Sequence, residues 1–491
     1  MRLPRRPTIY EINVAVWLSE LGTDLAGVPP EAWNELAALK VDAVWLMGVW
    51  QRSPAGRLIA SSSAEVEDGN HAALPDLRPD DVIGSPYCVR DYAVDERFGG
   101  PEALAVAREQ LAARGVGVIL DFVPNHVAPD HPWVAAHPEH FIRGSAQDLA
   151  ASPEEFIQTA GGAVAKGRDP NLPPWPDVVQ LDAFSAGLRH AVVDTLRTIA
   201  DQCDGVRCDM AMLVTNAVFE RTWGERAGTA PEAEYWPTII TATRATRPDF
   251  TFMAEAYWDT EYALQQHGFD LCYDKRLYDQ LAQGTAESVR EHLLADPGYQ
   301  QRLVRFIENH DEARAATVFP PGRARAAAVV MSTLEGARLY HHGQLDGART
   351  QLPVFLGRRR GEVVDAELRA FYGTLIRAVA DAQLRDGVWQ LCDCTGWPEN
   401  ESHRQLLAWT WTANDRRTLI VVNFADAPAQ GRVRLHWDDL AERAWGLDDA
   451  LSGDRFERGG AELRDEGLYV ELGAWGTYLL AFKAQSAVSP Q

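Results

Sequence analysis

The chain has 491 residues, and its 47 basic and 70 acidic side chains give a formal net charge of −23. Apolar residues make up 46% of the chain and charged residues 24%, which is typical of a globular protein and excludes a disordered or fibrous one. A surface with this excess of acidic groups repels phosphate backbones and anionic lipids. We therefore expect neither a nucleic acid nor a membrane as a partner.

Short apolar runs typical of strands alternate with amphipathic stretches typical of helices. The eight predicted strands are residues 9–14, 43–47, 116–122, 205–208, 250–253, 269–273, 303–307 and 337–340. The predicted helices between them include 31–39, 101–114, 187–202, 286–294 and 323–334. This alternation predicts an α/β fold, a (β/α)8 TIM barrel. The alternative is a doubly wound sheet, which has no reason to stop at eight repeats, and no Gly-x-Gly-x-x-Gly turn follows an early strand.

Two stretches break the alternation. Residues 128–180 are rich in Pro, Asp, Gly and His and are too long for an ordinary βα loop, so we predict an inserted subdomain after strand three. After a predicted helix at 365–382, short strand-like runs at 406–411, 418–423, 432–435, 468–472 and 478–482 predict an all-β, sandwich-like domain. The predicted domains are the barrel (1–127 and 181–383), subdomain B (128–180) and a C-terminal β domain (384–491) whose last residues, 484–491, we expect to be frayed.

The sequence also bears on the location of the protein. No apolar run is long enough for a transmembrane helix, and the basic start lacks the apolar core of a signal peptide, so we expect a cytoplasmic protein. Six cysteines could form three disulfides, but without a secretion signal reduced thiols are favoured. Cys392 and Cys394 have no second cysteine pair and no nearby histidine, so we predict no zinc site there.

Polar side chains follow four of the predicted strands, at the end where barrel enzymes carry their catalytic groups. Strand three runs into Asp121, Asn125 and His126, strand four into Arg207 and Asp209, strand five into Glu255, and strand seven into Glu308, Asn309, His310 and Asp311. A single carboxylate of this kind is more often a helix cap or a surface acid. Four in chain order, each close to a His, Arg or Asn, predict an active site.

The carboxylates can be assigned different tasks. Arg207 and Asp209 are two residues apart on a strand and therefore point to the same side, where the guanidinium would keep the carboxylate ionised, as a nucleophile requires. Glu255 lies among apolar residues, which we expect to raise its pKa, as a general acid requires. Two carboxylates with opposite requirements are typical of glycoside hydrolysis, and Asp311 could stabilise the positive charge on the sugar ring.

His126 and His310 fit the same chemistry, because neutral imidazoles hydrogen-bond to sugar hydroxyls. Metal binding is the rival interpretation of this His and Asp set. No His-x-Glu or His-Glu-x-x-His spacing among these residues supports it, so we predict no metal site.

Six segments carry a resemblance to a known family. They are DFVPNH (121–126), GVRCD (205–209), MAEAYW (253–258), FIENHD (306–311), the weaker VVQLD (178–182), and GSPYCVRDY (84–92). The sequence resembles the α-amylase superfamily, glycoside hydrolase family 13, over nearly its whole length. The resemblance implies a barrel with an insertion after strand three and a C-terminal β domain.

The resemblance also implies roles for single residues. Asp209 would be the nucleophile, Glu255 the acid/base and Asp311 the transition-state stabiliser. Asp121 would support the arginine. The implied substrate-binding residues are Tyr87, which stacks under the sugar, and His126, Arg207 and His310. We also expect Tyr257 and Trp258, which follow the fifth strand, to bind the substrate. Other candidate sugar platforms are Trp50, Trp133 and Trp175.

The resemblance leaves the metal and the substrate less defined. Asn125 matches a calcium ligand of the family, but Met212 and Leu213 stand where many members have Lys and His, so we expect no cofactor. We expect a retaining α-glycoside hydrolase that acts on α-glucans or α-glucosides through a covalent glycosyl-enzyme intermediate. One alternative is a transglycosylase or phosphorylase of the same family. A non-catalytic binding protein on the same fold is disfavoured, because all three carboxylates are present.

Overall fold

The computed structural model describes residues 1–485. Its first fourteen strands are β1 (Thr8–Asn13), β2 (Ala43–Met47), β3 (Trp50–Arg52), β4 (Val89–Val94), β5 (Gly117–Phe122), β6 (His126–Val127), β7 (Phe156–Thr159), β8 (Gly162–Ala165), β9 (Val179–Gln180), β10 (Gly205–Cys208), β11 (Thr251–Ala254), β12 (Leu271–Tyr273), β13 (Leu303–Arg305) and β14 (Ala337–His341). Eight of them form a closed barrel in the order β1-β14-β13-β12-β11-β10-β5-β2. The predicted TIM barrel is confirmed, and the doubly wound sheet is excluded.

Helices alternate with these strands along the chain. They are α1 (Val14–Leu21), α2 (Pro30–Ala38), α3 (Pro54–Ser61), α4 (Ala64–Ala73), α5 (Gly100–Ala112), α6 (Pro132–Ala136), α7 (Ala146–Ala151), α8 (Ala186–Gln202), α9 (Asn216–Trp223), α10 (Tyr235–Arg244), α11 (Glu261–Gln266), α12 (Lys275–Gln283), α13 (Ala286–Leu293), α14 (Pro297–Gln300), α15 (Ala315–Val318), α16 (Pro321–Thr333), α17 (Ala366–Asp381) and α18 (Gly460–Asp465). The predicted helices correspond to α2, α5, α8, α13, α16 and α17. Among the described helices, none combines the length and apolar character that a membrane span requires.

The barrel strands are buried on both faces, as parallel strands covered by helices must be. Every residue of β2, β5 and β10 is buried. Helix α8 shows how the outer layer forms. The Ser185 hydroxyl caps its N-terminus by accepting the Leu188 N–H, and Leu188, Val192, Leu196 and Ile199 are buried at the spacing of one helix face.

The described chain divides into two compact units. The first contains residues 1–4, 9–273 and 350–362, and the second contains residues 5–8, 274–349 and 363–485. In the first unit, the segment between β2 and β5 contains the antiparallel pair of β3 and β4 together with α3 and α4. The segment after β5 contains the pairs β6–β9 and β7–β8 and two short helices. The predicted domain boundaries, including 128–180 for subdomain B, stay a prediction.

The second unit contains the C-terminal strands. They are β15 (Val388–Leu391), β16 (Cys394–Thr395), β17 (Leu406–Ala413), β18 (Arg416–Asn423), β19 (Ala429–Val433), β20 (Ala444–Asp449), β21 (Arg455–Gly459), β22 (Leu468–Leu472) and β23 (Thr477–Ala484). They form a six-stranded and a three-stranded sheet that share one apolar core, in which Val421 and Leu480 of the first sheet join Val433 and Val470 of the second. The all-β prediction is confirmed. Residues 486–491, predicted to be frayed, lie outside the described residues.

Candidate active site

Two neighbouring barrel strands place Asp209 and Glu255 side by side. Strands β10 and β11 are parallel, with Cys208 opposite Ala254, and the two acids are the next residue on each strand. The Asp209 N–H donates to the Phe122 carbonyl at 2.8 Å, and the Glu255 N–H donates to the Cys208 carbonyl at 3.0 Å. The strand ladder therefore fixes both backbones at the carboxyl end of the barrel strands, where barrel enzymes carry their active sites.

One guanidinium contacts both acids. Arg207 Nη1 lies 2.8 Å from Asp209 Oδ1, and Arg207 Nη2 lies 2.8 Å from Glu255 Oε2. Arg207 is completely buried, and Asp209 is 6% exposed. The pairing of Arg207 with Asp209 agrees with their two-residue spacing on the strand.

Aromatic rings surround the same guanidinium. Its carbon lies 5.2 Å from the ring centre of Trp45, 5.1 Å from that of Tyr87 and 5.8 Å from that of Tyr273. Burial by itself would lower the pKa of Arg207, but Glu255 and then the two tyrosines and Asp209 raise this pKa well above its usual value. Arg207 is therefore a permanent cation held in one orientation.

Asp121 contacts Arg207 and the backbone of a neighbouring strand end. Its Oδ1 lies 3.6 Å from Arg207 Nη1, and its Oδ2 accepts the Gly48 N–H at 3.1 Å. Gly48 has φ +81°, and a Cβ there would lie 2.8 Å from Pro86, so the close approach requires glycine. These contacts fit the supporting role that was predicted for Asp121.

The surroundings of Glu255 differ from the sequence-based expectation. The apolar environment predicted from the neighbouring residues is wrong for the carboxylate itself. Glu255 Oε2 contacts Arg207 and accepts the Met210 N–H at 2.5 Å, and Tyr257 Oη donates to Oε1 at 3.3 Å. The flanking Ala254 and Ala256 are buried, but side chains that are adjacent along an extended chain point to opposite faces, so these two residues do not surround the carboxylate.

Tyr87 and His126 lie close to the same acids. The Tyr87 ring covers one side of Arg207, and His126 is 5% exposed with its ring centre 5.1 Å from that of Trp175. Burial lowers the pKa of His126 below its usual value, although Asp209 and the Tyr87 backbone act in the opposite direction. A lowered pKa keeps the imidazole neutral near pH 7, as predicted for a group that hydrogen-bonds to sugar hydroxyls.

The tryptophans predicted as sugar platforms separate into two groups. Trp258 is 41% exposed in a left-handed backbone conformation (φ +60°), with Arg221 6.0 Å from its ring centre, and remains a candidate. Trp133 and Trp175 are half-buried. The expectation for Trp50 is wrong: it is 1% exposed, and its indole N–H donates to the Asp121 carbonyl at 2.7 Å, so it is a packing residue.

Asp311 and His310 belong to the second unit and follow strand β13. His310 Nε2 lies 3.0 Å from Asp311 Oδ2. The Asn309 side-chain oxygen accepts the N–H groups of Asp311 at 3.0 Å and of Glu312 at 2.8 Å, which fixes the turn. Asp311 is partly exposed, with 39% of its side chain accessible.

Glu308, in the same segment, is structural. It is 1% exposed, pairs with Arg314 Nη1 at 2.5 Å and with His341 Nδ1 at 3.0 Å, and accepts the Ala315 N–H at 2.8 Å. Burial raises the pKa of Glu308, but these partners outweigh it, so the net pKa lies below its usual value. These contacts hold the loop in place.

The residues near Asn125 do not fit a calcium ion well. The Asn125 side-chain oxygen accepts the Gln180 amide at 2.9 Å, and the Asn125 amide donates back at 3.3 Å. Met212 and Leu213 are buried, and their side chains offer no oxygen ligand. All six cysteines lie within the described residues and are free thiols, as predicted.

The sequence analysis missed three groups that shape the site. Tyr273 ends β12 and covers Arg207, Trp45 lies in β2 on another side, and Met210 supplies a backbone N–H from a left-handed conformation (φ +40°). The position of Tyr273 at a strand end was a usable signal. The Met210 donor could not be predicted from the sequence, because nearly every residue type carries a backbone N–H.

Comparisons with known proteins support the fold and the family. A family model described as "Alpha amylase, catalytic domain" matches residues 19–406. An α-amylase (MalA) of Haloarcula japonica is 24% identical over 441 residues, which are 86% of this chain and 55% of that protein. An alpha-1,4-glucan:maltose-1-phosphate maltosyltransferase of Rhodospirillum rubrum is 24% identical over 413 residues, which are 77% of this chain and 53% of that protein. The chain thus spans about half the length of these relatives.

Solved structures share the fold over nearly the whole chain. A maltogenic α-amylase from Thermotoga neapolitana superposes with a TM-score of 0.69 at 18% identity, covering 98% of this chain and 99% of the other. An α-amylase from Geobacillus thermoleovorans, solved with acarbose, has a TM-score of 0.69 at 17% identity, covering 99% and 100%. Because the family model spans most of the sequence, the chain belongs to the α-amylase catalytic-domain family.

Proposed function

We propose that the protein is a retaining α-glycoside hydrolase that acts on α-glucans or α-glucosides by double displacement. The observation that carries this proposal is the guanidinium of Arg207, whose two terminal nitrogens lie 2.8 Å from Asp209 and from Glu255. Retention requires two carboxyl groups about 5–5.5 Å apart, whereas inversion requires roughly 6.5–9.5 Å. Equivalent positions on neighbouring strands are about 4.8 Å apart, which supports the shorter spacing.

Asp209 is the proposed nucleophile. A nucleophilic carboxylate must be ionised and must hold one rotamer while it attacks the anomeric carbon. The contact with Arg207 Nη1 orients the carboxylate, and the hydrogen bond of the Asp209 N–H to the Phe122 carbonyl fixes the backbone that carries it. The neutral imidazole of His126 and the half-buried ring of Tyr87 would hold the sugar against this carboxylate.

Glu255 is the proposed acid/base. Its contact with Arg207 stabilises the carboxylate form, so Glu255 must leave the guanidinium before it can carry a proton to the leaving oxygen. We infer that the incoming sugar separates the two groups, with Tyr257 keeping its contact to Oε1. After the leaving group departs, Glu255 removes a proton from water, which then attacks the covalent intermediate.

Asp311 is proposed as the third carboxylate because it follows the barrel strand β13, as Asp209 follows β10. Its role is to stabilise the positive charge that develops on the sugar ring. His310, paired with it at 3.0 Å, and the exposed Trp258 are the further proposed substrate-binding residues.

Transfer to an acceptor other than water is the second candidate function. It is favoured by the relative from Rhodospirillum rubrum, whose name describes a maltosyltransferase that uses maltose-1-phosphate. Both functions share the same covalent intermediate and differ only in the acceptor. We also propose a cytoplasmic location, which the six free thiols support.

A pair of variants at the two ends of β10 tests the catalytic assignment. Asp209 follows the carboxyl end of β10, and Asp204 precedes the amino end, where it accepts the Val118 N–H at 2.9 Å and pairs with Arg108. With maltose, trehalose, sucrose, maltooligosaccharides and glycogen as substrates, Asp209→Asn should lower turnover by about 10⁴-fold on each one that the unmodified protein cleaves. Asp204→Asn should lower the Tm and keep the specific activity.

Chromatography of the products, with and without added acceptor sugar, separates hydrolysis from transfer. If Asp209→Asn keeps a specific activity close to that of the unmodified protein, the proposed mechanism is wrong.

A further inference from the structure

A cavity in the first unit is lined by none of the three acids. Its volume is about 880 Å3, and it is lined by residues of β3, α3, α4 and the segment 77–83, together with Asp95 and Arg97. Four of the lining residues are arginines, namely Arg52, Arg57, Arg78 and Arg97, and two are acidic, namely Glu67 and Asp95. In a chain with a net charge of −23, such an excess of cations around one cavity needs a physical explanation.

Arg52 is the clearest indication that the cavity takes an anion. It is 4% exposed, and its Nη1 donates to the Gly84 carbonyl at 2.5 Å. Within residues 1–485, its Nε and Nη2 have no hydrogen-bond partner, and it forms no ion pair. Asp95, a carboxylate that lines the same cavity, is held by Arg97 through contacts of 2.7 and 3.0 Å.

A buried cation without a counter-charge is costly to the folded state. Burial, and secondly the charge of Arg97, lower the pKa of Arg52 to about 9, although Asp95 acts in the opposite direction. Asp95 compensates for part of this cost, and a bound anion would compensate for the rest.

The other arginines extend the positive surface. Arg57 donates to the Pro79 carbonyl at 3.0 Å, and neither Arg57 nor Arg78 forms an ion pair in the part of the chain that the structure describes. Three of the four guanidinium groups in the lining are therefore available to an anion. Asn70 is 2% exposed, and its side-chain oxygen has no hydrogen-bond donor among the described residues, so it could accept a hydroxyl group.

We propose that this cavity binds the phosphate group of a small polar molecule such as a phosphorylated sugar. Guanidinium groups match the oxygens of phosphate through paired hydrogen bonds. Ser53, Ser61, Asn70 and His71 supply polar contacts for the rest of the molecule, and the volume is that of a small-molecule site. Neither Asp209 nor Glu255 lines the cavity, so the site is additional to the proposed hydrolytic one.

Calorimetry and thermal unfolding with inorganic phosphate and with glucose 1-phosphate test the proposal. Both probes should bind and should raise the Tm by a few degrees at concentrations about 100 times their Kd. Arg52→Met and Arg57→Gln should each raise the Kd for both probes by about tenfold or more, because each removes a charge-assisted contact.

The control is Arg189→Met. Arg189 is also buried, but its guanidinium donates to the carbonyls of Ala183 and Ala233 and to the Asn216 side chain at 2.7 to 3.0 Å. This variant should lower the Tm and leave both Kd values unchanged. If Arg52→Met folds poorly, Arg57→Gln, at a half-buried position, decides the outcome.

Two results would overturn the proposal. One is the absence of phosphate binding to the unmodified protein. The other is binding of glucose 1-phosphate with the same Kd in the unmodified protein, Arg52→Met and Arg57→Gln, which would show that the sugar phosphate binds elsewhere.

Discussion

At the scale of single residues, the site depends on Arg207. The side chain is completely buried, yet it carries a permanent charge because Asp209 and Glu255 both lie 2.8 Å from its terminal nitrogens. A planar guanidinium can hold two carboxylates at a fixed separation, which an ammonium cannot do. Arg207 therefore orients the proposed nucleophile and holds Glu255 until the incoming sugar separates them.

Arg207→Lys tests this dependence. Lysine keeps the charge but cannot contact both acids in the same geometry, so we expect kcat/KM to fall by more than about 100-fold. Arg189→Lys, at a buried arginine bonded to carbonyls and an amide, should keep its activity near that of the unmodified protein. Equal activities of the two variants on the same substrate would contradict the proposed role of Arg207.

Part of this arrangement could be predicted from the sequence. The pair of Arg207 and Asp209 follows from the two-residue repeat of a strand. The contact of Arg207 with Glu255 depends on the register between β10 and β11. Residues 209–250 separate these two strands along the chain, and no local pattern encodes the contact. For Trp50 the sequence predicted a role that the structure does not support. A tryptophan after a strand end was predicted to bind sugar, but it is buried against Asp121.

At the scale of secondary-structure elements, the barrel strands were predictable because each is a continuous apolar run between turns. The segment between β2 and β5 was not recognised as an excursion. Its helices α3 and α4 have clear signals, since Ser53 and Ser63 cap them and Pro54 begins the first. Local signals of this kind identify a helix but do not tell whether it belongs to the repeating α/β pattern.

The segment before β9 contains a pH-sensitive group. Burial raises the pKa of Asp177 from 3.8 to about 6, and Asp177 is 7% exposed. Its contribution to stability is therefore fully present below about pH 4 and is lost as the pH rises through about 6. Asp177→Asn removes this loss, so the free energy of unfolding at pH 8 should rise by up to about 3 kcal/mol relative to the unmodified protein.

Urea unfolding at pH 4.5 and pH 8 measures this effect. Asp148→Asn is the control of opposite sign, because a hydrogen bond from Arg226 lowers the pKa of Asp148, so its contribution to stability is lost as the pH falls. If Asp177→Asn changes the free energy of unfolding equally at both pH values, the account of Asp177 is wrong.

At the scale of the whole molecule, the class of fold and the order of its parts could be predicted, since eight repeats followed by short strands allow few arrangements. The strands β15, β16, β20 and β21 were missed. Strand β16 has two residues, and β15 and β21 alternate exposed and half-buried residues, so their apolar signal is weak. The division of the chain into two compact units has no local sequence signal either.

Whether the protein requires a metal ion can be tested directly on the whole molecule. The Asn125 side chain is hydrogen-bonded to Gln180, and the side chains of Met212 and Leu213 offer no oxygen, so we expect activity and Tm to be unchanged in EDTA. The measurement is the activity before and after dialysis against EDTA. Loss of activity in EDTA with recovery on addition of calcium would refute this expectation.

The covalent intermediate tests the central claim most directly. In Glu255→Gln, a glucosyl fluoride should still react, since fluoride leaves with little protonation, but water should release the glucosyl group slowly because the base is missing. Mass spectrometry of this variant should then show one added glucosyl unit, located on the peptide that contains Asp209, and added azide should release it. A glucosyl unit on any other residue, or rapid turnover to β-glucose with no added mass, would contradict the account.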